Sequence, residues 1–278
     1  MLIIKYDFHS HTDYSDGVLT PTELVNRAAE RQVKMLAISD HDSISGLYEA
    51  EQAIQTNQLE LKLVNSIELS VKSDFGEVHI VGLNINPEEV TLVEAISRQQ
   101  TLRWTRAKQI ADKLESLNVT GVFEYLQSNC RQVVTRSHIA RSLVELKHVK
   151  DMQQAFKKYL GKKGRVKVAA EWIEMSDAIN LIHQAGGLAI LAHPTRYPMS
   201  NRKLTYLIEE FKIAEGDAME VSYPSLAPDK QAWLYQLLDK HQLLASAGSD
   251  FHYPDLKWSD LGHFKPVNPE VPHVLHHL

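Results

Sequence analysis

The stretch LIIKYDFHSHTDYSDGVLTPTELV, residues 2–25, decides how the chain is read. It begins with an apolar run, Leu2–Phe8, that predicts a strand, and it ends on Thr20-Pro21-Thr22-Glu23, which predicts a helix start. Thr20 is placed to cap that helix. Pro21 takes the first helical position, where no N–H is needed, and Glu23 completes a capping box. The loop between strand and helix holds His9, His11 and Asp16. Strand, loop and capped helix make one β/α unit whose loop carries side chains suited to metals.

The unit recurs along the chain. Lys34–Ser39 predicts a second strand and Ile44–Thr56 a second helix. Leu61–Glu68 and Glu77–Leu83 read as two more strands, joined by a turn near Asp74–Gly76. Further on, helices at Ser176–Ala185, Arg202–Phe211 and Pro228–Lys240 alternate with strands at Leu188–Ala192, Ala218–Ser222 and Leu243–Ala247. About seven strands in a largely parallel α/β pattern suggest a barrel related to the TIM barrel but with one unit fewer, with a doubly wound open sheet as the other arrangement. Between Pro87 and Lys163 the pattern is helical, with helices expected at Thr91–Leu117, Gly121–Gln127, Ser137–Glu145 and Met152–Leu160. The expected division is therefore a barrel of residues 1–86 and 164–278 and a helical insertion, 87–163, covering the active site.

Composition narrows the function. With 278 residues, 44% hydrophobic and 23% charged, the chain buries a sizeable core without disulfides or structural metals. The single cysteine, Cys130, rules out an intramolecular disulfide and a Cys-based zinc site, and no activating context surrounds it. Met1–Phe8 lacks the basic and long apolar parts of a secretory signal, and no apolar run reaches the ~20 residues of a membrane span. The expectation is a cytoplasmic protein with no membrane contact and no obligate protein partner. A formal net charge of −5 argues against coating nucleic acid. Yet Arg136–Val168 holds ten Lys or Arg against two acids, a net of +8 that leaves −13 for the remainder. Such a run is either a solvated helical surface or a landing place for phosphates.

The acids and histidines recur at one end of strand after strand. His9 and His11 end the first and Asp16 follows; Asp40 and His41 end the second; Glu68 ends the third. His193 follows Leu188–Ala192, Asp250 and His252 follow the last strand, and His79 lies within a strand whose alternation turns it inward. In parallel β/α folds those strand ends form one rim, where active sites are built. A lone His-x-His is a weak signal, but this conjunction is not. Nine donors exceed the needs of one ion and fit two or three sharing a carboxylate. Without cysteine they suit Mn²⁺, Zn²⁺, Fe²⁺ or Mg²⁺. Sites of several metals serve phosphoryl chemistry. His273, His276 and His277 have no comparable context and receive no role.

These motifs resemble the polymerase and histidinol phosphatase (PHP) family. They are Asp7-Phe8-His9-Ser10-His11-Thr12, Ser15-Asp16-Gly17, Ser39-Asp40-His41-Asp42, Glu68, the His79 segment, Ala192-His193-Pro194 and Gly248-Ser249-Asp250-Phe251-His252. The insertion looks like the branch containing ribonuclease AM and the nucleoside 3′,5′-bisphosphate phosphatases. Thr135-Arg136-Ser137-His138, Phe156–Leu160 and Gly216–Val221 carry that likeness. The resemblance implies a distorted seven-stranded (β/α) barrel with an inserted helical subdomain, and a trinuclear centre, Mn²⁺ foremost. His9, His11, Glu68 and Asp250 would hold one ion, Asp16, His41 and His252 a second, and Glu68, His79 and His193 a third. It also implies a hydroxide supplied by the ions as nucleophile, and the absence of a nucleophile elbow agrees.

Neighbouring cations select the substrate. Arg136 and His138, at an expected helix start, are assigned to substrate, with Arg103 and Arg196 as further contacts and Arg106 and Arg141 as surface. The expected activity is a 5′→3′ exoribonuclease acting on short 5′-phosphorylated RNA. A nucleoside 3′,5′-bisphosphate phosphatase is the alternative. A histidinol-phosphatase-like enzyme and a non-catalytic metal-binding module stand behind both.

Overall fold

A computed structural model describes residues 5–254 and 259–278. The chain runs β1 (Tyr6–Asp7), α1 (Pro21–Glu30), β2 (Met35–Ile38), α2 (Gly46–Thr56), β3 (Lys62–Ser73) and β4 (Gly76–Leu83). It then passes through α3 (Val90–Glu115), α4 (Val122–Asn129), α5 (Arg136–Glu145), α6 (Met152–Ala155) and a π-type turn at Phe156–Leu160. It returns through β5 (Ile173–Glu174), α7 (Met175–Gln184), β6 (Leu188–Leu191), α8 (Asn201–Ile213), β7 (Ala218–Ser222), α9 (Pro228–His241) and β8 (Leu244–Ala247).

Seven strands form a ring in the order β1-β2-β3-β4-β6-β7-β8. Backbone bonds close it, from Phe8 N–H to Ala247 O (3.2 Å), Asp250 N–H to His9 O (2.8 Å) and His11 N–H to Phe251 O (2.9 Å). That closure removes the open-sheet alternative. Strand β4 runs antiparallel to both β3 and β6, so the barrel is less parallel than the β/α alternation suggests. The reason is the tight turn at Gly76 (φ 116°), which folds β4 straight back on β3 where a crossover helix would otherwise restore the direction. Strand β3 also continues past Glu68 to Ser73, which puts Glu68 in mid-strand rather than at its end. The two-residue β5, not expected from sequence, pairs with the extended part of β3. Of the expected first strand, residues 2–4 lie outside the described residues.

Strand parity sorts the cores. Inward positions such as Val64, Val81, Leu83, Ile190, Ala192 and Ala218 fill the barrel. Outward positions such as Ile67, Leu69, Ile80 and Met219 pack under α7, α8 and α9, while α1 and α2 cover the β2 side. The N-terminus of α1 is capped as expected, with Thr20 and Glu23 bonded reciprocally. Helix α3, 26 residues and about 39 Å long, joins two cores. Its Leu92 and Ile96 belong to the barrel's outer core, whereas Ala107, Ile110, Ala111 and Leu114 belong to a separate cluster shared with α4 and α5. Among the described residues no helix is long and apolar enough to cross a membrane.

Candidate metal centre

All nine residues singled out at the strand ends meet at one end of the barrel. Parity explains Glu68 and His79: on antiparallel strands they are diagonal neighbours on the inward face, and His79 Nδ1 lies 3.0 Å from Glu68 Oε1. His193 Nε2 approaches the same oxygen at 3.1 Å, and His41 Nδ1 stands 2.9 Å from Glu68 Oε2. His9 Nε2 and His11 Nε2 are 3.1 Å apart, and Asp250 Oδ1 is 3.1 Å from the latter. Across the cluster, Asp16 Oδ1 lies 3.2 Å from His252 Nε2 and 3.7 Å from His41 Nε2.

The donor atoms fall into overlapping groups able to hold a cation. One is His11, Asp16, His41 and His252; the others are His9 with Glu68 and His193, His9 with His11 and Asp250, and His41 with Glu68 and His79. His11 thus approaches the Asp16 group as well as His9, and His41 approaches Glu68. Buried polar atoms normally find partners, and leaving them bare costs free energy. Here Asp16 Oδ1, His41 Nδ1, Glu68 Oε2 and His193 Nδ1 are buried without a hydrogen bond, even though His41 and Glu68 are close. A cluster of six imidazoles and three carboxylates with orphaned donors fits divalent cations.

Electrostatics favours the ligating forms of the three carboxylates and of His11, while against burial the facing carboxylates draw His9, His79 and His252 toward the protonated form. Burial opposes ionisation of Asp16, Glu68 and Asp250, but the facing imidazoles outweigh it and hold all three well below the usual carboxylate range. Burial, with His252 and His41 nearby, pushes His11 down to about 3, keeping it neutral. His252 moves the other way: burial lowers it, but Asp16 and Asp250 prevail and draw it up to about 9.

A layer of buried carboxylates outside the nine, of which Asp40 alone is read from sequence as a strand-end acid, holds these residues in place. Glu220, inward on β7, accepts from His9 Nδ1 (2.7 Å) and from the His193 backbone N–H (2.6 Å), fixing one ring and one loop. Asp40 accepts from Thr12 N–H (2.7 Å) and Ser15 Oγ (2.6 Å), pinning the loop between His11 and Asp16. Asp7 accepts from the N–H groups of Ser249 (2.8 Å) and Gly262 (2.7 Å), tying the Asp250 loop to β1; burial raises its pKa to about 6. The signal was present: Asp7 and Asp40 precede His9 and His41, and Glu220 is an acid inside an apolar strand. At Gly248 any Cβ would lie 2.3 Å from His9 Cβ, so only glycine lets His9 seat. His193 (φ 29°) and Asp250 (φ 50°) both adopt the left-handed backbone that side chains avoid, a strain that tends to gather at functional sites.

The cations assigned to substrate separate into different situations. Arg103 is buried and committed: Nε donates to Asp42 Oδ2 (2.6 Å) and Nη2 to Ser70 Oγ (2.7 Å), with Nη1 reaching Val134 O (3.4 Å). His138 Nδ1 accepts from the Thr135 N–H at 3.1 Å, completing the cap of α5, and Thr135 Oγ1 reaches Asp16 Oδ2 at 3.0 Å. Burial pushes His138 down to about 4. Arg196 pairs closely with Asp250 and lies over the Tyr223 ring. Arg136 donates to Leu160 O and lies over Phe156, and it lines a cavity of about 190 Å³ together with Asp16, His41, His79, Arg103 and Arg106. Arg106, read from sequence as surface, therefore joins that cavity, held by Glu77 at 3.4 Å. Arg141 reaches Tyr253 Oη at 2.9 Å. Burial raises the Cys130 thiol to about 11, which leaves it no nucleophilic part. His273, given no role from sequence, bonds Tyr6 Oη at 2.8 Å and has Val274, a barrel-filling residue, beside it.

Comparison with known proteins agrees with this picture. A model of the PHP domain matches residues 7–184. The 5′-3′ exoribonuclease Rnm of Escherichia coli is 42% identical over 260 residues, covering 93% of this chain and 88% of that protein. The 3′,5′-nucleoside bisphosphate phosphatase of Chromobacterium violaceum is 39% identical over 267 residues, 95% of this chain and 92% of that one. A crystal structure described as an amidohydrolase from Chromobacterium violaceum with bound sulfate superposes with a TM-score of 0.90 at 37% identity, over 98% of this chain and 95% of that chain. A crystal structure from Bifidobacterium adolescentis, of a protein assigned to the metal-dependent phosphoesterases without a stated activity, shares the fold at a TM-score of 0.81 and 24% identity, over 92% of this chain and 90% of that chain. With its closed ring, its rim of histidines and carboxylates and these matches, the chain belongs to the PHP-domain family.

Proposed function

We propose that this chain is a metal-dependent phosphoesterase of nucleotides, working as a 5′→3′ exoribonuclease on short 5′-phosphorylated RNA. One observation carries the reading: a buried cluster of histidines and carboxylates with orphaned donors opens on a cavity lined by Arg106 and Arg136. The likeness to the exoribonuclease Rnm over 93% of this chain supports the substrate class. Two or three divalent ions are assigned to the nine residues, Mn²⁺ foremost, with Zn²⁺, Fe²⁺ and Mg²⁺ also matching the donors. Glu68, within 3.4 Å of five imidazoles, is the residue that would be shared between ions.

Ions bound there supply charge neutralisation for the phosphoryl group and lower the pKa of water. The chain's own residues do the rest. Glu220 holds the His9 ring in one tautomer and orientation. Asp40 and Asp7 keep the loops of Asp16 and Asp250 from drifting. Arg136 takes a substrate phosphate away from the cleaved bond, its fork matching phosphate geometry. Residues 87–163 are assigned as the insertion that carries this arginine over the rim, and their separate apolar cluster supports that division.

Removal of one phosphate from a nucleoside 3′,5′-bisphosphate is the second reading. The small volume of the cavity, about 190 Å³, favours it, as does the likeness to the Chromobacterium phosphatase. Product analysis in Mn²⁺ separates the two. Stepwise release of mononucleotides from a 5′-phosphorylated RNA is the expected result. Turnover of adenosine 3′,5′-bisphosphate with the RNA left intact would replace the first reading with the second.

A further inference from the structure

Beside the small cavity lies a much larger groove of about 1060 Å³, continuous with it through Glu77, His79, Arg106, Ile110 and Arg136. Ligand pockets for small molecules occupy about 300–1,000 Å³, so this groove is at the upper limit of what one small ligand fills. It leads away from His79 between the π-type turn and the start of α8. Along it stand Lys162, Lys167 and Lys203, and its single acid among the lining residues, Glu77, is already paired with Arg106. Two aromatic rings also line it. Tyr197 packs edge-on against His193 near the metal centre, and Phe75 is stacked on Tyr206 (centroids 6.4 Å apart).

The fold also sorts the basic segment of residues 136–168. Arg141 turns to Tyr253, where Asp250 and His252 line a second, smaller opening of about 390 Å³. Arg136, Lys162 and Lys167 face the large groove, where Lys203 of α8 joins them from the barrel. A channel with cations from two sides and aromatic faces for bases is how proteins hold single-stranded nucleic acid irrespective of sequence.

We propose that this groove is the track for the RNA beyond the cleaved linkage, with Lys162 and Lys203 contacting backbone phosphates from opposite walls. The proposal rests on the exoribonuclease reading of the metal centre. It assigns the two lysines to chain length rather than to chemistry, since both are exposed and neither lines the small cavity.

The test compares wild type with the double variant Lys162→Glu/Lys203→Glu, both loaded with Mn²⁺. The substrates are adenosine 3′,5′-bisphosphate, a 5′-phosphorylated dinucleotide and a 5′-phosphorylated RNA of about twelve nucleotides, a length within the range such grooves cover. The variant is expected to lose about tenfold in kcat/KM on the long RNA and little on the bisphosphate. Its salt dependence on the long RNA should become shallower by about 1.4 in log–log slope, since each lost single-strand phosphate contact accounts for about 0.7. If wild type degrades the long RNA and the variant matches it, the track is overturned while the exoribonuclease reading stands. Equal losses on the bisphosphate would place the lysines' effect at the metal centre and overturn the track too. If wild type hydrolyses the bisphosphate but no RNA, both readings fall together.

Discussion

The rim of the barrel and the helical block facing it are both dense in charge, but they fix their charged groups by different means. At the rim, position follows from the strand: His9, His41, His193 and Asp250 each come just after an apolar strand or run that leaves no choice of place. In the helical block, position follows from tertiary partners. Arg103 and Arg136 are both on helices, yet one is locked to Asp42 and Ser70 and the other to a single carbonyl and a ring. A side chain set by backbone regularity can be read from a sequence; one set by its partners cannot.

The largest effect that would break this contrast lies at the rim. His41→Ala should abolish turnover while circular dichroism stays native, and metal content per chain, measured on the purified protein, should fall. His41 stands between Asp16 and Glu68, so its loss removes a donor from both sides of the cluster. Full activity in this variant would end the metal assignment.

The helical block predicts a loss of a different kind. Arg103 and Asp42 form an ion pair whose side chains are 6% and 0% exposed, and removing one partner strands a buried charge. Arg103→Ala should therefore destabilise the chain by about 3–5 kcal/mol, or roughly 10 °C in Tm for a chain of this size. Chemical and thermal denaturation would measure it. If stability is unchanged and only KM rises, Arg103 is a substrate contact and its pairing with Asp42 does not hold the fold.

How much could be read beforehand follows the same line. The seven strands and the seven rim residues that follow them were legible because strand ends and helix caps are local signals, whereas Glu68 and His79 lie within strands. The antiparallel course of β4 is carried by the turn near Asp74–Gly76, which reads as a hairpin only once β3 is seen to run on to Ser73. The sequence reading ends the strand at Glu68, although Leu69, Ser70, Val71 and Lys72 beyond it continue a strand-like alternation. In the structure β3 continues through Ser70 and Lys72, paired to β4 and β5. Glu220 was passed over because an acid inside a strand shows its purpose only when His9 is seen beside it. Glu220→Gln should weaken metal binding by about 10–100-fold with the fold intact, read by titrating metal into the stripped protein. Unaltered affinity would reduce Glu220 to a partner of the His193 backbone.

The smallest expected effect discriminates best between the two regions, because it separates substrates rather than folded from unfolded. Arg136 keeps one Nη on Leu160 O and its plane over Phe156 while lining both the small cavity and the groove. Hydrogen bonds to charged groups contribute about 1.5–3 kcal/mol, so Arg136→Ala should raise KM for adenosine 3′,5′-bisphosphate by about tenfold or more. An aryl phosphate has no second phosphate to lose, and its kcat/KM should barely move. A fall in kcat on both substrates would instead mean that Arg136 supports the rim through Thr135, its neighbour at the cap of α5, which bonds Asp16. The helical block would then serve the metal centre as scaffold, and the reading of substrate would have to come from the barrel itself.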